Sequence, residues 1–415
     1  MVSAIQTKSP LPFTTTCSQS DDKYDPDKLV LDVEELARSN FAPRAACHDQ
    51  NGSFPRENFD DLRRAGLLAL CIPREYGGLG ADFPTYARVS TAIAKHCAAT
   101  AFTFNMHSCN LMWIGMLADQ VAMQPAERRL LNLLRTRHYK RVVEDGAIFA
   151  QPISEGGPGV SVGTPYSTSA KPVPGGWVIT GRKIFASLAG EADYYGTACT
   201  EVGGTDTADT LYLAVAADSN GIKVIDDDDL VGMRGTVSRT IIFDNVFVPH
   251  HDQLMPRGVY HRVTQIWPHM FLTLTPTFLG IAEAAYNFTL GYLRGTTQGD
   301  SNVEKTVKPI KQFAVAEMFI LLEQMRALFD RAFKEAHALP THEQRMRAWA
   351  CQYTIMEQAN EICQRAIRTC GGRCLLQNMP LERYFRDARC GAVLRPWSAD
   401  RCLELLGEAA LSDEF

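Results

Sequence analysis

The hydrophobic pattern of this chain changes twice along its length, and this change restricts its fold more than any other feature. Residues 29–143 carry apolar side chains at helical spacing. Residues 144–257 form short β-branched and aromatic runs separated by turn residues, and residues 258–415 return to long helical patterns. The segregated order predicts an α+β protein with an N-terminal α-helical domain, a central antiparallel β-barrel or sandwich domain and a C-terminal helical domain.

The first 28 residues predict a disordered N-terminal tail. They are rich in Ser, Thr, Pro and Asp, and they lack the basic start and the apolar run of a signal peptide. No apolar run elsewhere reaches the roughly 18 residues that a membrane span needs. The 12 cysteines show no metal-binding spacing, which favours reduced thiols in a cytoplasmic protein.

The charge of the chain argues against two classes of partner. The 42 basic and 47 acidic residues give a net charge of -5 and are mixed along the sequence. Because there is no basic stripe and no polybasic segment, we expect neither nucleic acid nor a membrane surface as a partner.

Four stretches of the sequence carry motifs in a fixed order. They are LRRAGLLALCIPREYGGLG (62–80), PISEGGPG with GGWVITGRKIFASLAGEAD (152–193), GMRGTVSRTIIFDNVFVP (232–249) and GGRCLLQNMPLERYFRDAR (371–389). Through these stretches, residues 29–408 resemble the acyl-CoA dehydrogenase family. The resemblance implies the acyl-CoA dehydrogenase fold, with a C-terminal four-helix bundle and a flavin between the β-domain and the bundle. It also implies a homodimer or homotetramer, and FAD as the cofactor with FMN as the alternative.

Two strands of the β-domain carry the implied flavin contacts. Ser154 keeps the hydroxyl position of the family's Thr-Glu-Pro-Gly-Ala-Gly-Ser stretch, and Gly159 is one of the glycines that let the backbone approach a ligand. Val160 replaces a family serine, so one polar contact is missing. The resemblance places Phe185 against the isoalloxazine ring and Ser187 at flavin N5, where a serine hydroxyl is a competent hydrogen-bond donor.

The adenosine side of the cofactor has weaker counterparts in the sequence. Arg294 stands in the region of the family arginine that reaches the pyrophosphate of the neighbouring subunit, and a guanidinium suits phosphate geometry. Gln312 in the next predicted helix is a second candidate. Gly371 and Gly372 keep two glycines of the family's Gly-Gly-x-Gly motif, which bring the backbone close to a phosphate.

The carboxylate that acts as catalytic base in the family is missing from both of its usual positions. Arg395 occupies the position that follows the Arg-Asp-Ala motif, and Met270 occupies the alternative position on a bundle helix. An arginine stays protonated and does not act as a base, although Arg395 is a candidate for binding a substrate anion. His107 and His269 are the candidate catalytic residues because imidazole titrates near neutral pH. A lone histidine on an apolar helix is nevertheless more often a core residue.

Three functions are open at this point. The first is FAD-dependent oxidation of the Cα–Cβ bond of an acyl thioester, bound to CoA or an acyl carrier protein, with a non-standard base. The alternative is a flavin-dependent monooxygenase on the same fold, which uses reduced flavin and O2. The third is a non-catalytic protein that binds flavin or an acyl ligand. We take the first as the expectation, with an electron-transferring flavoprotein, O2 or a flavin reductase as the redox partner.

Overall fold

The computed structural model describes residues 25–156, 165–226, 229–266, 272–296, 308–394 and 398–411. The N-terminal part of the chain is helical. Its helices are α1 (Pro26–Leu36), α2 (Ala42–Asn51), α3 (Arg56–Arg64), α4 (Phe83–Ala94), α5 (Ala98–Met112) and α6 (Pro125–Val143).

Helix α1 begins inside the segment that the composition assigns to the disordered tail. The carboxylate of Asp25 accepts a hydrogen bond of 2.9 Å from the backbone N–H of Asp27, and Pro26 occupies the first helical position. Both are favourable signals for a helix start, because they satisfy or remove unpaired N–H groups. The helix therefore starts three residues earlier than the predicted boundary at residue 29.

Helices α4 and α5 form the buried pair that their nearly continuous apolar sequence predicts. Thirteen of the 15 residues of α5 are buried. Two polar side chains in this pair form a hydrogen-bonded chain: the Asn105 amide donates to the hydroxyl of Tyr86 (2.7 Å), which donates to the carbonyl oxygen of Thr273 (3.1 Å). These bonds attach the N-terminal helices to the C-terminal domain.

The described residues of the central domain form a sheet of eight strands. The strands are β1 (Phe149–Ala150), β2 (Ser169–Val173), β3 (Gly176–Ala186), β4 (Tyr194–Glu201), β5 (Thr210–Ala216), β6 (Ile222–Ile225), β7 (Arg239–Pro249) and β8 (Gln253–Met255). The strand order is β6-β7-β3-β2-β4-β5-β8, and β1 pairs with β4. Five of the seven pairings are antiparallel, as predicted, whereas β4 pairs in parallel with both β1 and β2.

The C-terminal domain is a helical bundle. Its helices are α7 (Val259–Ile266), α8 (Thr275–Leu293), α9 (Pro309–Lys334), α10 (His342–Cys370), α11 (Pro380–Ala392) and α12 (Ala399–Leu411). Helix α10 packs against α8, α9, α11 and α12. Gly391 permits α11 to approach α10 and α8 closely, because a Cβ atom there would lie 2.6 Å from Met356 Sδ and 2.7 Å from Phe278 Cε1. No described helix combines the length and the apolar character that crossing a membrane requires.

Candidate functional site

Two segments of the β-domain bring three predicted flavin contacts together. The backbone N–H of Ile184 in β3 donates a hydrogen bond of 2.8 Å to the carbonyl oxygen of Ser154, which lies on the segment after β1. Phe185 and Ser187 follow Ile184 at the end of β3. Ser154, Phe185 and Ser187 therefore lie in one region of the sheet.

Phe185 adopts an unusual backbone conformation that exposes its ring. Its φ is 50°, and the pairing of β3 with β7 shifts register between Lys183 and Ala186. A left-handed conformation is rare for a bulky residue, and a bulge of this kind redirects a side chain. The ring is 58% exposed although it belongs to a strand of the sheet. An aromatic surface is thus available to a ligand beside Ser187.

A buried ion pair supports this region from inside. The Lys183 ammonium lies 2.7 Å from Glu155 Oε1, and both side chains are almost completely buried. The carboxylate also accepts hydrogen bonds from the backbone N–H groups of Ser167 (2.6 Å) and Thr168 (2.9 Å), and the ammonium donates to the carbonyl oxygen of Ala198 (2.8 Å). Burial alone would raise the pKa of Glu155, but Lys183 and these bonds hold that pKa at about 2. The pair joins the segment of Ser154 to β3, β4 and the start of β2.

Ser187 belongs to a chain of three hydroxyl groups. Its Oγ lies 2.7 Å from Ser238 Oγ, which lies 2.8 Å from Thr236 Oγ1. The Thr236 hydroxyl donates to the carbonyl oxygen of Met233 at 2.8 Å. The loop before β7 therefore reaches the residue that the family resemblance places at flavin N5.

The loop of residues 233–238 is strained and is anchored at both sides. Met233 and Val237 have φ values of 54° and 45°. The Leu188 N–H donates to the carbonyl oxygen of Thr236 (3.0 Å), and the Met233 N–H donates to Asp387 Oδ1 in α11 (2.6 Å). Such conformations persist only where surrounding contacts impose them, and they are concentrated at functional sites.

Helix α11 joins all three domains beside this loop. The Arg386 guanidinium binds both carboxylate oxygens of Asp49 in α2, at 3.0 and 2.6 Å, and donates to the carbonyl oxygen of Val231 (3.0 Å). Burial raises the pKa of the adjacent Asp387 to about 6. The position of the loop thus depends on an ion pair between α2 and α11 and on a buried carboxyl group.

These residues fit a flavin. The isoalloxazine needs an apolar surface and a hydrogen-bonding group at N5, and the exposed Phe185 ring lies two residues from the Ser187 hydroxyl. Among the residues that the structure describes, no group of three or more His, Cys, Asp or Glu side chains could hold a metal ion.

His107 has a structural environment. It is completely buried, its Nε2 atom lies 2.8 Å from the carbonyl oxygen of Leu68, and its Nδ1 atom accepts a hydrogen bond from the N–H of Phe149 (3.1 Å). Burial lowers the pKa of His107 to about 4. Because both ring nitrogens are engaged by backbone groups, no lone pair of this histidine faces a ligand, contrary to a role as base.

Three further predicted site residues have no described position, and one buried carboxylate of the bundle is engaged in ion pairs. His269, Arg395 and the flavin-loop residue Gly159 lie outside the described residues. Glu283 in α8 is buried and pairs with Lys95 (3.2 Å) and Arg326 (2.8 Å). Its carboxylate is used to join α8 to α4 and α9.

The predicted adenosine contacts lie at one end of the C-terminal bundle. Thr289 of α8 and Lys311 of α9 both lie close enough to the Cys370 thiol, at the end of α10, to influence its pKa, which places these three helix ends together. Near these ends lie Arg294 and Gln312, both exposed, and Gly371 and Gly372, whose surroundings leave open space. This group therefore belongs to the bundle, whereas Ser154, Phe185 and Ser187 belong to the β-domain.

Four further residues of the candidate site lie inside the sequence motifs but were not predicted from them. Lys183 interrupts the apolar face of β3, and a charged residue there predicts a buried partner, which is Glu155. Thr236 and Ser238 lie in the GMRGTVS stretch. Their two hydroxyl groups at alternate positions are the sequence feature that could have indicated a shared polar contact.

Comparison with known proteins gives the same family for all three domains. Family models described as the N-terminal, middle and C-terminal domains of acyl-CoA dehydrogenase match residues 25–120, 150–246 and 272–395. The mitochondrial short-chain specific acyl-CoA dehydrogenase of Homo sapiens is 25% identical over 386 residues, which cover 91% of this chain and 88% of that protein.

Other similar proteins carry different names on the same fold. The L-evernosamine nitrososynthase of Micromonospora sp. is 26% identical over 409 residues, covering 92% of this chain and 90% of that protein. FMN-bound TdsC from Paenibacillus sp. A11-2, a dibenzothiophene monooxygenase, has the same fold, with a TM-score of 0.79, 24% identity and coverage of 92% and 97% of the two chains. The chain belongs to the acyl-CoA dehydrogenase family of flavoprotein oxidoreductases.

Proposed function

We propose that this protein is a flavin-dependent monooxygenase on the acyl-CoA dehydrogenase fold. The observation that carries the proposal is the absence of a carboxylate from both positions where the family keeps its base, which hold Arg395 and Met270. Removal of an α-proton from a thioester requires a base within hydrogen-bond reach. Oxygen transfer from a reduced flavin has no such requirement.

Three other titratable residues that could have replaced the missing base are occupied by structural contacts, which supports this choice. His107, Glu283 and Asp387 each have structural partners, and none is a free base. This moves the preference away from acyl thioester oxidation, which the motifs alone favour. One relative is named a nitrososynthase and the structural neighbour TdsC is named a monooxygenase. These names support the view that this fold is compatible with chemistry other than dehydrogenation.

The residues that would hold the cofactor are those gathered around β3. Phe185 would pack on the isoalloxazine, Ser187 would bond to N5, and Ser154 would bond near the pyrimidine ring. A bound flavin supplies a hydride acceptor when oxidised and reactivity toward O2 when reduced. The ion pair of Glu155 and Lys183 and the loop that Asp387 anchors hold Phe185 and Ser187 in position.

Oxidation of an acyl thioester is the second candidate. It is supported by the 25% identity to a short-chain acyl-CoA dehydrogenase and by the GMRGTVS stretch. His269 would then be the base, an acyl-CoA or acyl carrier protein the substrate, and an electron-transferring flavoprotein the acceptor.

Anaerobic mixing with acyl thioesters separates the two candidates. The oxidised holoprotein is incubated without O2 with saturated acyl-CoA thioesters from short to long chains, and the flavin absorbance near 450 nm, the usual region for oxidised flavin, is followed. We expect no bleaching, while dithionite added to the same sample bleaches the flavin fully. Bleaching by one thioester that is lost in His269→Ala would overturn the proposal in favour of the second candidate.

A further inference from the structure

The three hydroxyl groups near β3 form an uninterrupted chain that ends on a carbonyl oxygen. The contacts are Ser187 Oγ to Ser238 Oγ (2.7 Å), Ser238 Oγ to Thr236 Oγ1 (2.8 Å) and Thr236 Oγ1 to the Met233 carbonyl oxygen (2.8 Å). All three distances are those of ordinary O–H···O hydrogen bonds.

Counting hydrogens fixes the direction of this chain. A hydroxyl group has one hydrogen to donate, and a carbonyl oxygen has none. Thr236 must donate to Met233, so Ser238 must donate to Thr236 and Ser187 must donate to Ser238. Ser187 has then used its hydrogen and offers only lone pairs to any ligand. The reverse direction would leave the Thr236 and Met233 oxygens 2.8 Å apart with no hydrogen between them.

The surroundings keep the carbonyl end of the chain in place. The Met233 N–H is bonded to Asp387, and the carbonyl oxygen of Thr236 accepts from the Leu188 N–H. Thr236 and Ser187 at the two ends are 1% and 5% exposed, whereas Ser238 between them is half-buried and bonded to both neighbours, so bulk water has little access to the two end hydroxyls. A buried polar chain without such access holds its direction strongly, because an unpaired buried group is costly.

We propose that Thr236 and Ser238 are positioning residues that make Ser187 a hydrogen-bond acceptor, and thereby favour a reduced flavin over an oxidised one. Flavin N5 carries a hydrogen when reduced and a lone pair when oxidised, so only the reduced form offers Ser187 a donor. This inference rests on the proposed placement of flavin N5 at Ser187, and it reverses the donor role that the sequence suggests for that serine. It applies to either proposed reaction.

The test measures how tightly each redox form of the flavin binds. Dissociation constants of oxidised and dithionite-reduced flavin are determined anaerobically for the full-length wild type, Ser238→Ala, Ser238→Thr and Ser169→Ala. Ser169 is a control because its half-buried hydroxyl at the start of β2 donates to the carbonyl oxygen of Thr180 at 3.4 Å, away from the hydroxyl chain. The reduction potential of the bound flavin is a second readout of the ratio between the dissociation constants of the oxidised and the reduced flavin.

The wild type should bind reduced flavin more tightly than oxidised flavin. Ser238→Ala frees the Ser187 hydrogen and should lower this preference about tenfold, as expected for one hydrogen bond; for a two-electron couple that equals a potential about 30 mV more negative. Ser238→Thr and Ser169→Ala should keep the wild-type preference. Thr236→Val removes the hydroxyl that donates to the Met233 carbonyl oxygen and should behave like Ser238→Ala. It replaces Ser238→Ala in the test if Ser238→Ala does not fold.

Two results would overturn the inference in different ways. If the wild type binds flavin and the preference is unchanged in Ser238→Ala and Thr236→Val, the hydroxyl chain does not control Ser187, and the flavoprotein function stands. If the purified wild type binds neither redox form, the flavin placement and the proposed function fail together with the inference.

Discussion

The hydroxyl oxygens of Ser187 and Ser238 lie 2.7 Å apart although 51 residues separate them in the sequence. The antiparallel pairing of β3 with β7 brings them together, with Ala186 opposite Arg239. The end of β3 and the loop before β7 therefore act as one unit. Any change in that loop is expected to reach the flavin through Ser187.

Removal of the exposed aromatic ring beside Ser187 should weaken flavin binding. Phe185→Ala removes a stacking surface, and we expect the dissociation constant of the flavin to rise about tenfold, as measured by quenching of flavin fluorescence. Phe247→Ala is the matched control, because Phe247 is 49% exposed on β7 and pairs with the opposite end of β3, at Val178. Equal affinities in the two variants would show that Phe185 does not contact the cofactor.

Loss of Lys183 should destabilise the protein strongly. Lys183→Met leaves the Glu155 carboxylate buried without its counter-ion, and breaking such a pair costs about 3–5 kcal/mol of unfolding free energy. Lys223→Met removes an exposed lysine that lies 3.6 Å from Asp244 and should change the stability by less than about 1 kcal/mol. Urea unfolding measures both. Similar unfolding midpoints for the two variants would contradict a supporting role of the buried pair.

The buried Asp387 should make stability depend on pH. Its pKa of about 6 in the folded protein lies above the usual 3.8, so between these values the folded protein binds more protons than the unfolded chain. The contribution of Asp387 to the free energy of unfolding of the wild type is fully present below about pH 4. It is lost as the pH rises through about 6, a decrease of about 3 kcal/mol.

Asp387→Asn removes this titration while keeping an oxygen that accepts the Met233 N–H. The unfolding free energy of the variant relative to the wild type should therefore rise between pH 4.5 and pH 8. Urea titrations at the two pH values measure it. A difference that is the same at both values would mean that Asp387 is not the titrating group.

His107 should matter for folding rather than for chemistry. His107→Ala leaves the Leu68 carbonyl oxygen and the Phe149 N–H without partners, and each buried unsatisfied group costs about 1–3 kcal/mol. We expect a lower unfolding temperature and an unchanged rate of flavin reoxidation by O2 per bound flavin. A variant of wild-type stability that had lost this reaction would restore His107 as a catalytic candidate.

The fold could be predicted from the sequence because periodicity and order are local properties. The buried pair α4 and α5 and the sheet followed directly from runs of apolar residues. The start of α1 did not, because capping by Asp25 acts on single residues that composition averages out. The parallel pairings of β4 depend on contacts between strands distant in sequence, which alternation patterns do not encode.

The site could be predicted only in part for the same physical reason. Family motifs predict Phe185 and Ser187 as flavin contacts, but the direction of the Ser187 hydroxyl depends on Ser238 and Thr236 across the sheet. The environment of His107 likewise depends on the Leu68 carbonyl oxygen, 39 residues away. A histidine on an apolar helix has the same sequence pattern whether it faces a backbone group or a substrate.

The reaction of the reduced holoprotein with O2 tests the proposed function most directly. The bound flavin is reduced anaerobically, mixed with air-saturated buffer in a stopped-flow instrument, and followed across the visible and near-ultraviolet spectrum. We expect a long-lived species that absorbs at wavelengths between those of the reduced and the fully oxidised flavin, before the oxidised spectrum returns. Reoxidation in a single slow step without such a species would contradict a monooxygenase and leave acyl thioester dehydrogenation as the better account.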